Sequence, residues 1–219
     1  MLPILYSFRR CPYAMRARLA MWKAEINFEL REVVLRDKPQ SMINYSPKAS
    51  VPVLVLGNGT VIDESLEIVC WALAINDPGD WLSPERGTLA DMKTLIECND
   101  NEFKNHLDRY KYPNRYTNVD PIYHRGHGER FLEKLDQKIA KNVALFGSRL
   151  SLADIAIVPF VRQFANVDRN WFDNSKYDSV KRWLHIQLES TLFISIMTKY
   201  AKWHEGDAPT VIEPADARR

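Results

Sequence analysis

The chain has 219 residues, enough to bury one or two hydrophobic cores, and its 30 lysines and arginines nearly balance its 28 aspartates and glutamates. Because this near-neutral chain creates no strong electrostatic field, we expect neither nucleic acid nor a membrane surface as a partner. It has no apolar run of transmembrane length, no secretory leader and only three cysteines without a disulfide pattern, which predicts a cytoplasmic protein.

The first part of the chain predicts an α/β domain. Apolar runs of strand length alternate with segments whose apolar residues recur at helical spacing. The turn signal Gly57-Asn58-Gly59 separates two short apolar runs and predicts a hairpin. The predicted order is strand 3–8, helix 17–24, strand 28–35, connection 38–47, hairpin 51–62 and helix 66–73. This order, a βαβ unit followed by a ββ hairpin and a helix, is the layout of a thioredoxin-like domain.

Cys11 lies where the first predicted strand gives way to the first predicted helix. Backbone N–H groups at a helix N-terminus lack intrahelical partners and carry partial positive charge, which favours the thiolate form of a cysteine there. The neighbouring Arg9 and Arg10 add to this effect, and Pro12 suits the first helical turn. The pattern predicts a reactive Cys11, and the alternative is a small apolar residue packed under a loop.

The residue three positions after Cys11 determines which redox chemistry is open to the thiol. That residue is Ala14, so the chain lacks the Cys-x-x-Cys pair that can close its own disulfide. A lone thiol must be resolved by a second thiol from solution, which comes from a small molecule or from another protein. Cys11 is therefore predicted to act as a monothiol.

Four short motifs in the predicted α/β domain resemble the glutathione-binding half of a glutathione S-transferase. The likeness is closest to omega-class and glutaredoxin-2-like members, which use cysteine where other classes use tyrosine or serine. The motifs are Cys11-Pro12-Tyr13-Ala14, Lys38-Pro39, Val51-Pro52 and Glu64-Ser65. The resemblance implies the fold of that superfamily, in which an α/β thioredoxin-like N-terminal domain is followed by an all-α helical-bundle C-terminal domain.

The same resemblance implies which residues hold glutathione, the co-substrate of the family. Pro52 would be a cis proline that turns the backbone of Val51 towards the ligand, and Val51 would pair with the cysteinyl backbone of glutathione. Tyr13, beside the catalytic Cys11, is assigned to the glutathione site as well. The resemblance implies no metal.

The N-terminus of the helix after the hairpin would hold the γ-glutamyl end of glutathione. Its unpaired N–H groups and the Ser65 hydroxyl would receive the γ-glutamyl carboxylate, while Glu64 would accept from the amine. Lys38 would meet the glycyl carboxylate. The alternatives are an N-cap role for Ser65 and a solvated surface charge for Lys38.

A cluster of turn-forming residues at 76–80 ends the strand-like alternation and marks the predicted domain boundary. From residue 84 onwards the apolar residues recur at helical spacing. The predicted organisation is a thioredoxin-like glutathione-binding domain over 1–76, a linker over 77–84 and an all-helical domain over 85–219.

Within the helical domain, Ser151 and Asp154 have the spacing of an N-capping box. The helix that they begin is apolar on every side and is predicted to be the central buried one. Two more helices are predicted over 177–188 and 192–203. We expect 208–219 to be a loosely held tail.

The segment 109–116 is rich in tyrosine and arginine and has no assigned role. We expect a wall of the second-substrate pocket or a long ordered loop, because one such run in a nearly neutral chain is weak support for nucleic-acid binding. His124 and His127 lie nearby without further residues at metal-ligand spacing, so they are predicted to be surface histidines.

Together these features predict a glutathione-dependent thiol transferase that works through a glutathionylated Cys11. Its partners would be glutathione and a small-molecule or protein disulfide or electrophile, with deglutathionylation or dehydroascorbate-type reduction as the reaction. One alternative is an enzyme that conjugates glutathione to small electrophiles, with Tyr6 or Ser7 as the stabilising hydroxyl. Another is a non-catalytic binding module of the same fold. A homodimer is consistent with the resemblance, since many relatives form one.

Overall fold

The computed structural model describes residues 1–214. The chain divides into two compact units, of which the first joins residues 1–78 to residues 191–214 and the second comprises residues 79–190. The structure thus differs from the predicted helical domain 85–219, because its C-terminal part packs with the α/β unit. Residues 215–219 of the predicted tail lie outside the described residues.

Strands and helices follow one another in the predicted order over the α/β part. The strands are β1 Ile4–Ser7, β2 Phe28–Glu32, β3 Val53–Val55, β4 Val61–Ile62 and β5 Thr210–Ile212. The helices are α1 Pro12–Lys23, α2 Gln40–Tyr45, α3 Ser65–Ile75, α4 Leu89–Cys98, α5 Lys104–Lys111, α6 Pro121–Ala140, α7 Leu152–Ala165, α8 Arg169–Asp173, α9 Asp178–Glu189 and α10 Thr191–Ile196.

The strands form one mixed sheet in the order β4-β3-β1-β2-β5. β1 and β2 run parallel, as predicted for strands joined by a helical crossover, and β3 and β4 form the predicted hairpin. β5 lies antiparallel to β2, with Ile212 paired to Phe28 and Thr210 to Leu30. The prediction of a loose tail from residue 208 is therefore wrong for the described residues up to 214.

The predicted helix over 192–203 is also shorter in the structure, because α10 ends at Ile196. The chain then runs beside β2, where the backbone N–H of Trp203 donates to the carbonyl oxygen of Glu32 at 2.9 Å. This contact satisfies a backbone donor that a continued helix would have used internally. The segment after α10 thereby leads into β5.

Helix α1 is buried over most of its length because it packs against α3 and α10 in the same unit. Its buried residues include two charged ones, Arg16 and Arg18, although arginine is seldom fully buried unless it is paired. Both guanidinium groups have acceptors inside the first unit.

The second unit is helical throughout its regular structure. α4 continues through a π-helical turn, Asn99–Phe103, into α5, and α6 packs against α5 and α9. α7 is buried along nearly its whole length, which agrees with its apolar sequence. Among the helices of the described residues, none has an apolar stretch long enough to cross a membrane.

Asp154 connects the start of α7 to two other parts of the second unit. It forms the predicted capping box with Ser151. Its Oδ1 also accepts from the backbone N–H of Leu145 at 3.0 Å and from Nε1 of Trp183 at 2.9 Å. Burial raises the pKa of the Asp154 carboxyl, while these donors act in the opposite direction.

Asp154→Asn is expected to lower the free energy of unfolding by about 3 kcal/mol, because an amide nitrogen would face buried N–H donors. The matched control is Asp91→Asn, in the capping box that begins α4 at an exposed position. Its expected cost is about 1 kcal/mol. Urea unfolding of both variants measures the two values, and equal losses would contradict the role given to burial.

Candidate functional site

Cys11 is the N-cap residue of α1 and has an extended backbone, with φ −74° and ψ 123°. Pro12 occupies the first helical turn, as predicted. The Cys11 side chain is half-buried and belongs to no disulfide. Its Sγ lies 3.7 Å from the carbonyl oxygen of Val51, and the thiol donates towards that oxygen. The sulfur therefore lies between the start of α1 and the residue before Pro52.

The Val51–Pro52 peptide bond is cis, as the resemblance implied. Both residues are buried, and they lead directly into β3. In β3, Val53 is paired with Tyr6 of β1, the strand that leads to Cys11. The pairing of these two strands holds the Val51 backbone beside the Cys11 sulfur.

Ser65 is the first residue of α3, and its side chain is buried beside a guanidinium group. Its Oγ accepts a hydrogen bond from Arg16 at 3.3 Å. Arg16, fully buried in α1, also lies over the ring of Tyr13, 5.6 Å from the ring centroid. A serine that accepts in this way still has its own proton to donate to a carboxylate. Arg16 therefore contacts both Ser65 and Tyr13, two of the residues predicted to bind glutathione.

Glu64 is exposed and paired with a lysine that the sequence analysis did not single out. Lys48 Nζ lies 2.6 Å from Glu64 Oε1 and 3.1 Å from Asp63 Oδ1. Hydrogen bonds to Glu64 and Asp63 raise the pKa of Lys48, and a hydrogen bond from Ser46 lowers the pKa of Asp63. A ligand amine that binds Glu64 would compete with Lys48 for this carboxylate.

Lys38 lies just before α2 and lines a cavity of about 270 Å³. The other lining residues come from the ranges 37–40 and 202–205. Lys202, which also lines the cavity, forms an ion pair with Asp37. Within the described residues, none of the other six predicted site residues lines this cavity.

Arg18 holds the loop between β1 and α1, in which Cys11 lies. Its guanidinium donates to Oγ of Ser7 at 2.5 Å and to the carbonyl oxygen of Arg9 at 2.7 Å. Burial lowers the pKa of Arg18 to about 10, while the charges of Glu32 and Cys11 act in the opposite direction. Arg18 thus stays cationic at neutral pH, within electrostatic range of the Cys11 sulfur.

The two hydroxyl groups considered for the conjugating alternative are fully buried and already bonded. Tyr6 Oη accepts from Arg31 at 2.6 Å and donates to Ser41 Oγ at 3.1 Å. Ser7 Oγ accepts from Arg18. The prediction that Tyr6 faces the core is confirmed, and both hydroxyl groups are buried away from solvent.

Sequence reasoning could have found the two buried arginines from one signal. Arg16 and Arg18 stand two positions apart in a helix whose other residues are almost all apolar, so they point to different faces of a buried helix. Lys48 offered no such signal, because its partners Asp63 and Glu64 are brought to it only by the tertiary fold.

The aromatic and basic segment 109–116 stacks on itself. The Arg115 guanidinium lies 4.0 Å from the ring centroid of Tyr112, and that of Arg109 lies 4.5 Å from Tyr116. Part of this segment is the end of α5, and Pro113 begins a short 3₁₀ turn. The guanidinium groups of Arg109 and Arg115 are thus stacked on tyrosines of the same segment.

His124 and His127, which were predicted to be surface histidines, are half-buried, and both pack against a third histidine. Nδ1 of His106 lies 2.8 Å from Nδ1 of His124, and the His106 ring stacks on His127 at 4.5 Å. Burial lowers the pKa of His106 and of His124, which favours neutral rings at pH 7. Over residues 1–214, no group of three or more such side chains has an arrangement that could hold a metal ion.

Two protein-family profiles match the chain. The profile for "Glutathione S-transferase, N-terminal domain" matches residues 5–80, and the profile for "Glutathione S-transferase, C-terminal domain" matches residues 101–185. A structure of a glutathione transferase family member from Pseudomonas fluorescens pf-5, with two glutathione bound, superposes with a TM-score of 0.77 at 16% identity. The superposition covers 90% of this chain and 92% of that chain. The predicted fold class is confirmed.

Two curated relatives support the same grouping. Glutathione S-transferase omega-2 of Homo sapiens is 36% identical over 94 residues, which is 42% of this chain and 38% of that protein. The chain therefore matches less than half of the length of the human relative. A probable glutathione transferase of Aplysia californica is 30% identical over 101 residues, which is 46% of this chain and 100% of that protein.

Ser65→Ala is expected to lower the free energy of unfolding by about 1.5 to 3 kcal/mol without any ligand, because it removes a hydroxyl that accepts a hydrogen bond from the buried Arg16 guanidinium. Glu64→Ala, one residue away and exposed, is expected to cost less than about 1 kcal/mol. Chemical denaturation of the two variants provides the comparison. If Ser65→Ala were as stable as the parent, the hydrogen bond between Arg16 and Ser65 would not contribute to the stability of the fold.

Proposed function

Because the chain belongs to the glutathione S-transferase superfamily, we propose that it is a glutathione-dependent thiol transferase with Cys11 as its nucleophile. The observation that carries the proposal is the position of the Cys11 sulfur at the N-terminus of a 12-residue helix, 3.7 Å from the Val51 carbonyl. A helix N-terminus favours the thiolate, the nucleophilic form of a cysteine. The cationic Arg18 acts in the same direction.

The proposed reaction is two successive thiol–disulfide exchanges. The Cys11 thiolate attacks the glutathionyl sulfur of a mixed disulfide, forms a Cys11–glutathione disulfide and releases the substrate as a thiolate. A second glutathione thiolate then attacks the glutathionyl sulfur on Cys11, which releases oxidised glutathione and restores the Cys11 thiolate. Both steps conserve electrons, since one disulfide is broken for each one formed. Neither step requires a metal.

The glutathione contacts are proposed from the arrangement around Cys11. The backbone of Val51 would pair with the cysteinyl backbone of glutathione, which brings the ligand sulfur close to Cys11. The Ser65 hydroxyl and the N-terminus of α3 would receive the γ-glutamyl carboxylate, with the charge of Arg16 behind the hydroxyl. Glu64 would bind the γ-glutamyl amine in competition with Lys48. Tyr13 and Pro52 would shape the surface beside the sulfur.

Lys38 would bind the glycyl carboxylate only if glutathione extends towards the cavity that this lysine lines. The cavity volume of about 270 Å³ is enough for the glycyl end of the peptide, and Lys202, paired with Asp37, also lines it. A glutathione-binding measurement on Lys38→Met tests this contact.

Glutathione conjugation is the second candidate function. It requires a hydroxyl near the ligand sulfur, and the buried, bonded states of Tyr6 and Ser7 favour thiol transfer instead. A non-catalytic binding module is the third candidate, and it would not require a half-exposed thiol at a helix N-terminus. Activity towards a glutathionylated peptide separates both candidates from the proposed function.

Cys11→Ser is expected to reduce the rate of peptide deglutathionylation by at least about a hundredfold, because the hydroxyl cannot form the mixed disulfide. Glutathione binding should stay within about threefold of the parent, because the peptide is held by other groups. The matched control is Cys98→Ser, which removes another half-buried thiol and should leave the rate unchanged. A Cys11→Ser variant as fast as the parent would refute the assignment of the nucleophile.

Ala14→Cys is expected to convert the monothiol into a dithiol. Ala14 lies in the first turn of α1, one turn from Cys11, where a second thiol can attack the Cys11–glutathione bond from within the molecule. After exposure to oxidised glutathione, intact-mass spectrometry should find one glutathione adduct on the parent. The variant should instead lose two mass units and carry no adduct. A parent without any adduct would exclude the proposed intermediate.

A further inference from the structure

The second unit contains a cavity of about 560 Å³ that lies between the start of α4 and the C-terminal half of α6. Cationic side chains line it from both sides. Lys134, Lys138 and Lys141 come from α6 and its C-cap, and Arg86 comes from the segment before α4. The three lysines are four and three residues apart, so they share one face of the helix. Four positive charges thus line one open cavity.

Within the described part of the chain, none of these cations forms an ion pair, although the charge of Lys138 acts on the carboxylate of Asp91. The ion pairs of the second unit use other cations, among them Arg149 and Lys176. Lys138 Nζ instead lies 4.5 Å from the ring centroid of Phe146 in the cavity floor. Positive charges gathered in a concave surface concentrate their field on whatever enters it.

One carboxylate, that of Asp91, also lines the cavity, and it is already engaged elsewhere. It accepts hydrogen bonds from the backbone N–H and the hydroxyl of Thr88, both at 2.8 Å. Those bonds, together with the charge of Lys138, lower the pKa of Asp91, so it stays ionised and cancels only one of the four positive charges. The cavity keeps an excess of about three positive charges.

Favourable interaction with the helix dipole accounts for part of this pattern. Lysines in the last turn of a helix stabilise its negative end by about 0.3 to 1 kcal/mol. That explanation covers Lys138 and Lys141, but Lys134 lies more than one turn earlier and Arg86 belongs to a different segment. Like charges on one helix face also repel each other at i and i+4. An anion in the cavity would relieve this repulsion.

We infer that this cavity binds a small molecule bearing a diphosphate group. A diphosphate ester carries about three negative charges at neutral pH, and its oxygens suit several lysines and one arginine at once. The volume lies within the range of sites for drug-sized ligands, and Leu95, Leu145 and Phe146 give the floor an apolar part for the rest of the molecule. Gln137 and Asn142 add neutral polar groups at the wall.

Isothermal titration of the full chain with ADP, AMP and adenosine at 150 mM salt tests the inference. ADP is expected to bind one molecule per chain with saturation. AMP should bind at least tenfold more weakly, and adenosine should give no heat. Lys138→Gln/Lys141→Gln should weaken ADP binding at least tenfold. The matched control, Lys93→Gln/Lys199→Gln, removes two exposed lysines that do not line the cavity and should change the affinity less than twofold.

Arg86→Gln provides an independent variant, since it lies on the opposite wall and leaves α6 unchanged. It too should weaken ADP binding, by about three- to tenfold. Absence of ADP binding at millimolar concentration would overturn the inference. Binding of adenosine or AMP as tight as that of ADP would also overturn it, because this outcome indicates recognition of the base. Equal losses of ADP affinity in the two double variants would overturn it as well, because they indicate unspecific electrostatic attraction. Thiol transfer is measured separately, so failure of this inference leaves the proposed function intact.

Discussion

A guanidinium group taken out of water must find acceptors, and helix α1 carries two such groups. Arg18 takes its acceptors from the loop before α1 and thereby fixes the segment that contains Cys11. Arg16 takes one from Ser65 and thereby fixes the start of α3 relative to α1. The two ends of the proposed glutathione site are therefore held by arginines two residues apart on one helix. Because buried guanidinium groups must be hydrogen-bonded, the contacts that stabilise the fold also set the geometry of the proposed site.

Charge is used in two ways in this molecule. In the first unit the buried cations are partnered, and the cost of their burial is offset by hydrogen bonds that also position the sulfur and the start of α3. In the second unit the cations around the larger of the two cavities described above remain solvated and, within the described residues, form no ion pairs. Solvated charges cost little when unpaired, so folding stability accounts for only part of their grouping.

The order of strands and helices in the α/β part followed from the sequence, because each element there is defined by local spacing and by turn residues. The position of Cys11 as the N-cap of α1 was predictable for the same reason. The acceptors of Arg16 and Arg18 were not predictable, because they are distant in sequence or belong to the backbone. β5 was missed because it exists through its pairing with β2, which is distant in sequence. The cluster of three histidines likewise depends on how α5 packs against α6.

The pairing of β5 with β2 also has a consequence for how the protein is made. β2 ends at Glu32 and β5 begins at Thr210, so nearly the whole chain is translated between the two strands. At about 5 to 20 residues per second, the edge of β2 stays open for roughly 10 to 40 s on the ribosome. An open edge is a template on which another nascent chain can pair. The second unit is contiguous in sequence and can fold during this interval, whereas the sheet beside Cys11 is completed only after that unit has left the ribosome.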